Sequence, residues 1–328
     1  MVNKGVKFLY FLFSVAILVA TLNLFNLFKE KPEYKLEDMG GKPNSPYCLQ
    51  MYTSIEKYSK ALLSHEYAIS PERVDPGRVE WNQKNTPRLF SGLTPEATRR
   101  TREFYSTFCD QLVEVSSPEV AEAAKLFENT FRQVNIALVN EFTKLCSDSG
   151  ININEVIDAA SSKPYGFMPF RPGVGIGGHC IPVDPLYLTW WARKGGQVAS
   201  LVERSDEISN QMPIYVAERA LALTRASTGT PKVLIMGVAY KPGVGDVRET
   251  PASALRAALV ARGAEVAWVD PLVPLWEGTG PVTEAWDCDV AIVATNQPGL
   301  NVKPLLAKGI PILDCTNNYG ELTGIKLL

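Results

Sequence analysis

The last hundred residues limit the fold most. Lys232–Val238 (KVLIMGV), Ala264–Val269 (AEVAWV), Asp289–Ala294 (DVAIVA) and Ile310–Leu313 are short, nearly wholly apolar runs, and a helical pattern over Thr250–Arg262 joins the first two. Strands without polar alternation are covered on both faces. Strands that alternate with helices build a parallel sheet with helices on either side, linked by right-handed crossovers. Residues 226–328 are therefore expected to form a Rossmann-like parallel-sheet domain.

Upstream the apolar period changes. Ser117 suits an N-cap and Pro118 the first helical position. Val120, Ala124, Phe127, Phe131, Val134, Leu138, Phe142 and Leu145 then recur at helical spacing, and Gly150 ends the helix. A second helix is expected over Asn154–Ala160, a third from Asp184-Pro185, and a fourth over Leu201–Arg225. A Gly/Pro-rich loop, Pro164–Pro182, separates the second from the third. Residues 117–225 read as a helical middle domain. The fold class is α/β, with residues 67–116 as a partial N-terminal α/β piece.

Phe8–Phe28 is uncharged and bracketed by Lys4, Lys7, Lys29 and Lys31. About 20 apolar residues suffice to cross a bilayer, so residues 1–31 are expected to hold a transmembrane or buried helix. Lysines on both flanks leave its orientation open. Residues 32–66 carry Pro32, Gly40, Gly41, Pro43 and Pro46 and read as a linker.

Composition excludes several function classes. The formal net charge is -2 and no Lys/Arg block stands out, which argues against a nucleic-acid partner. Six cysteines without a C-x-x-C pair suggest thiols in a reducing compartment rather than disulfides or zinc. Two histidines, His65 and His179, rule out a multi-histidine metal site.

The densest motif is Arg171–Pro185, RPGVGIGGHCIPVDP. Gly173, Gly175, Gly177 and Gly178 remove side chains where a ligand could approach the backbone. Cys180 follows, and the helix expected from Asp184 would place its positive end near the thiol, which favours a reactive thiolate. The alternative is a glycine turn beside an inert cysteine. Gly173-x-Gly175-x-x-Gly178 spells a dinucleotide fingerprint but lacks the preceding strand, so it is not one. No strand in the chain is followed by G-x-G-x-x-G.

Lys125 and Asn129, four apart, share a helix face. A lysine there could stabilise an oxyanion and an asparagine could hold a water. A solvated face is the plainer reading. Ser70–Gly77 (SPERVDPG) is a turn-rich loop with two acids, Glu72 and Asp75. Tyr240, Lys241, Asp246 and Arg248 lie on the loop after the first C-terminal strand, at the sheet end where ligands bind, or else form a salt-bridged loop.

Taken in order, SPERVDPG, AEAAKLFENTFRQVNIALVNE, GIGGHCIPVDP and YKPGVGDVRE resemble the UDP-glucose/GDP-mannose dehydrogenase family from about Tyr67 to the end. GGHCIPVDP looks most like the branch acting on UDP-N-acetylhexosamines. The resemblance implies NAD-dependent oxidation of a UDP-sugar C6 alcohol to a uronate through a cysteine thiohemiacetal and thioester, serving polysaccharide precursor synthesis. By position, Cys180 matches the nucleophile and Lys125 the oxyanion-stabilising lysine. Asn129 and Asp184 match residues that orient water and the substrate oxygen, and Glu72 a general acid/base. Arg171, Gly173, Val174, Gly175, Ile176 and Gly177 match the substrate loop, Tyr240 and Lys241 match substrate contacts, and Arg248 matches a residue near NAD. A homodimer through the helical domain, a UDP-sugar-binding C-terminal domain and a cytoplasmic or cytoplasm-facing location are also implied. The family's N-terminal NAD-binding half has no counterpart beyond residues 67–116. The other reading is thus an inactive UDP-sugar-binding or dimerisation module. Thr316 stands where relatives often carry a substrate-reaching arginine.

Overall fold

The computed structural model describes residues 67–75, 78, 80–224 and 229–328. The apolar run Phe8–Phe28 and the linker 32–66 lie outside them. Among the described residues, no helix is long and apolar enough to cross a membrane.

Described structure begins with a small sheet in the order β1-β2-β3, formed by Ala68–Ile69, Arg88–Gly92 and Leu112–Glu114. β1 pairs antiparallel to β2, while β2 and β3 run parallel across helix α1, Pro95–Ser106.

Four helices follow. α2 spans Pro118–Asp148, with the Ser117 side chain accepting from Val120 N–H and Pro118 in the first turn. Gly150, at φ 69°, closes it. α3 is Ile153–Ser161, capped by Asn152, α4 is Asp184–Lys194 and α5 is Ser200–Ala222. These match the helices expected from spacing and caps to within a few residues.

The C-terminal sheet is all parallel, in the order β5-β4-β6-β7-β8. Its strands are β4 Lys232–Met236, β5 Glu265–Val269, β6 Val290–Val293, β7 Ile312–Asp314 and β8 Ile325–Leu327. Helices α6, Pro251–Val260, and α7, Lys303–Ala307, lie in its connections. β4 shows why apolar runs mark such a sheet. Val233 and Ile235 pack with Met212, Val216 and Leu255, while Leu234 and Met236 pack with Val302 and Leu305 in a separate cluster. Alternate residues serve opposite faces, and both faces are buried.

α2 departs from the usual amphipathic pattern. Much of its apolar stripe faces outward: Phe127 is 71% exposed and Leu138 62%, with Val120, Phe131, Phe142 and Leu145 also exposed. The buried face carries Ala121, Asn129, Thr130, Gln133, Ala137, Asn140 and Thr143. It packs on α5, where the Ser205 hydroxyl donates to Gln133 Oε1. Small and polar side chains let the helices approach and bond.

Candidate active site

The loop between α3 and α4 carries Cys180, and its neighbours fix its course. Val174 is buried in the core cluster with Met212 and Val238. A Cβ on Gly177 would lie 2.8 Å from both Pro251 Cδ and Tyr240 Cβ. Gly178, at φ 91°, presses against the Tyr240 ring. The glycines thus let the loop lie flat on the segment that follows β4. Cys180 is exposed at its end, and the Cys180 carbonyl accepts from Val183 and Asp184 N–H. That turn leads directly into α4.

At the start of α4, Asp184 Oδ2 accepts from the largely buried Asn129 Nδ2 on α2. Burial pushes the Asp184 carboxyl above its usual range, against the Asn129 hydrogen bond and the charge of Lys125. Lys125, Asn129 and Asp184 therefore form one group, although 55 residues separate Asn129 from Asp184.

Tyr240 lies against the same loop, next to Gly177 and Gly178. Burial raises its phenol, and the Asp246 and Asp75 carboxylates and the Cys180 sulfur add to the effect. Lys241 Nζ pairs with Asp75 Oδ1 at 2.5 Å, joining the SPERVDPG loop to the C-terminal sheet. Arg248 is exposed and engages both Asp246 oxygens. This Arg248 hydrogen bond leads the causes that hold the Asp246 carboxyl down to about 2.

Two expected site residues are engaged elsewhere. Arg171 pairs with Asp158 and donates to Asn154 on α3. Glu72 accepts from Gln83 at 2.7 Å, from Arg88 at 3.0 Å and from two backbone N–H groups. Burial alone would raise its carboxyl, but these bonds hold it below the usual range. Gly173 and Gly175 lie in the thiol loop with Ile176, which is half-buried. Thr316 donates through N–H and hydroxyl to buried Asp314.

Three buried residues in this region have no role in the sequence reading. Asn140 Oδ1 accepts from Gly173 N–H at 3.0 Å. Gln297 holds the loop after β4, accepting from Gly243 N–H at 2.8 Å and donating to the Val244 carbonyl at 2.7 Å. Asp270, at the end of β5, accepts from Val238 and Ala239 N–H. Only the Asn129–Asn140 interval of eleven, which returns to nearly the same helix face, could have pointed to one of them.

Two strand ends among the described residues lack the usual dinucleotide contacts. In the small sheet the helix after a parallel strand is α1. Its Ala97 N–H is taken by Thr94 Oγ1, and Glu96 puts negative charge in the first turn, where a pyrophosphate would need the opposite. In the large sheet, the Asp270 carboxylate at the tip of β5 turns inward to backbone N–H groups rather than outward to a ribose.

Comparison with known proteins identifies the two domains on either side of residue 225. Residues 119–211 match the central domain of the UDP-glucose/GDP-mannose dehydrogenase family, and residues 234–319 match that family's UDP binding domain. The chain is 35% identical over 220 residues to a UDP-N-acetyl-D-mannosamine dehydrogenase of Methanocaldococcus jannaschii, covering 67% of this chain and 49% of that protein. It is 36% identical over 192 residues to the Escherichia coli K12 enzyme of the same name, covering 56% and 45%. The chain thus spans about half the length of the curated relatives it matches. Among solved structures, UDP-D-ManNAc dehydrogenase from Pyrococcus horikoshii superposes with a TM-score of 0.69 at 30% identity, over 79% of this chain and 63% of that one. The Staphylococcus aureus UDP-N-acetyl-mannosamine dehydrogenase gives 0.70 at 28%, over 84% and 68%. With both domain profiles matched in order around the thiol loop, the chain belongs to the UDP-glucose/GDP-mannose dehydrogenase family.

Proposed function

We propose that this chain supplies the substrate-handling part of a dehydrogenase that oxidises the C6 alcohol of a UDP-N-acetylhexosamine, such as UDP-N-acetylmannosamine, to the uronate. The observation that carries this is the meeting of three elements at one place: the exposed Cys180 on its glycine loop, the Asn129–Asp184 pair, and Tyr240 from the C-terminal sheet.

In this reading the Cys180 sulfur bonds to the carbon of a C6 aldehyde, and the aldehyde oxygen takes the negative charge. Lys125 and Asn129 stabilise that oxyanion. That carbon then gives up its hydrogen and electron pair to a hydride acceptor, leaving a thioester. A water oxygen attacks the thioester carbon, the C–S bond breaks, and the thiol is restored with the acid as product. Asp184, kept partly out of water beside Asn129, orients that water and accepts its proton. Tyr240, Lys241 and the backbone from Arg171 to Gly177 bind the nucleotide sugar, and Arg248 lies toward the cofactor. Glu72, tied to Arg88 and Gln83, acts chiefly to shape the loop that carries Asp75. NAD is the hydride acceptor that the family implies, and the described residues would supply only part of its seat. Nucleotide sugars and NAD place the reaction in the cytoplasm. Residues 67–116 are read as part of the NAD-binding domain, 117–225 as the central domain and 226–328 as the UDP-sugar domain. The outward apolar stripe of α2 supports a homodimer.

A second reading is a UDP-sugar-binding or dimerisation module. It is favoured by the start of α1, where Thr94 caps Ala97 N–H and Glu96 puts negative charge where a pyrophosphate would sit.

NADH formation at 340 nm by the full chain with NAD and UDP-N-acetylmannosamine or UDP-N-acetylglucosamine, beside Cys180→Ala, separates the two. Cysteine-dependent NADH supports the enzyme. UDP-sugar binding without NADH fits both readings, and NADH that appears only when the NAD-binding domain of a relative is added then supports the substrate-handling part over the module. Acid formation by Cys180→Ala would exclude the thioester route.

A further inference from the structure

Asn140 is 0% exposed and lies three turns beyond Asn129 on nearly the same face of α2. Its Oδ1 accepts from Gly173 N–H, while its Nδ2 finds no partner among the described residues. α2 therefore holds the thiol loop at both ends, through Asn140 at Gly173 and through Asn129 at Asp184. The two grips are roughly 16 Å apart along the helix axis. Between them lie Gly175, Gly177 and Gly178, whose backbone has little preference of its own. The anchors therefore share with Val174, Pro251 and Tyr240 the setting of the loop's path.

A buried amide that makes one hydrogen bond and leaves its donor unsatisfied is a poor choice for helix packing, where an apolar side chain of similar volume would serve better. The useful product of Asn140 is the bond to Gly173. We propose that Asn140 is a positioning residue that acts through Gly173 to fix where the loop presents Cys180 to Asp184 and Tyr240. The inference rests on the reading of Cys180 as a reacting thiol.

The test uses the full chain with two readouts on the peptide that contains Gly173 and Cys180. One is hydrogen exchange by mass spectrometry. The other is the pH profile of iodoacetamide alkylation at Cys180. Asn140→Leu should lose about tenfold protection and change the alkylation profile. Asn140→Asp, which keeps an oxygen in place, should restore both. Gln133→Leu, which removes the Ser205 acceptor from the same helix, should lower Tm and leave both readouts unchanged. If Asn140→Leu does not fold, Asn140→Ser, whose shorter side chain withdraws the acceptor, takes its place. Unchanged readouts at position 140, or an equal change in Gln133→Leu, overturn the proposal. A wild-type Cys180 that alkylates like an ordinary exposed thiol, unaffected by UDP-sugar, would instead count against the functional reading, and exchange at Gly173 would still decide the role of Asn140.

Discussion

Lys241 Nζ lies 2.5 Å from Asp75 Oδ1 across 166 residues of sequence, and this ion pair ties the loop after β1 to the loop after β4. Burial alone would raise the Asp75 carboxyl, but Lys241 and then Arg78 outweigh it and hold the group below its usual range. A carboxyl depressed in the folded state adds stability above its unfolded pKa and loses it as pH falls through the folded value. Asp75 is 38% exposed, so solvent screening limits the pair to about 1 kcal/mol or less. Asp75→Asn should lower Tm slightly at pH 7, and the two curves should converge in acid. A gap of constant size down to the acid limit would contradict the pairing.

Asp184 should behave in the opposite sense. Its carboxyl is raised by burial, so its contribution is most favourable below the ordinary carboxylate pKa and declines as pH rises through the raised value. Asp184→Asn keeps an oxygen for Asn129 and removes the charge. Tm at pH 8 should therefore be equal to or above wild type, while turnover and UDP-sugar-dependent protection of Cys180 fall at least tenfold. A variant that is less stable at pH 8 than at pH 4, relative to wild type, would show that the carboxylate is a net stabiliser.

The outward stripe of α2 should govern association. Phe127→Glu with Leu138→Glu places charges on side chains that one chain leaves exposed, so a lone chain should keep its secondary structure. Sedimentation should then report half the mass of the wild-type assembly. An unchanged mass would move the interface elsewhere.

Gly237 and Gly150 separate two costs that a sequence cannot tell apart. Both have positive φ. A Cβ on Gly237 would lie 1.9 Å from the Thr295 carbonyl oxygen, whereas one on Gly150 meets nothing within 4 Å. Urea midpoints should show Gly150→Ala costing about 1 kcal/mol, the backbone strain alone. Gly237→Ala should cost about 3 kcal/mol or more, because the sheet must move as well. Equal losses would mean that the loop after β4 yields freely.

Much of this was legible in the chain itself. Apolar strand runs such as KVLIMGV, the cap at Ser117 and the terminating Gly150 act within a few residues, and they marked the helices of residues 117–225 and four strands of the parallel sheet, but not α1, α7 or β8. Glycine density around Cys180 pointed to the thiol loop for the same local reason. The orientation of α2 was not legible, because helical spacing defines an apolar face but not what covers it. Here Phe127 and Leu138 face outward and Gln133 and Asn140 face inward. Nor could spacing show that Arg171 turns to Asp158, that Glu72 is held by Arg88, or that Asp75 meets Lys241. Those pairings join residues from separate elements, and only the packed tertiary structure sets the distances and burial on which their charges depend.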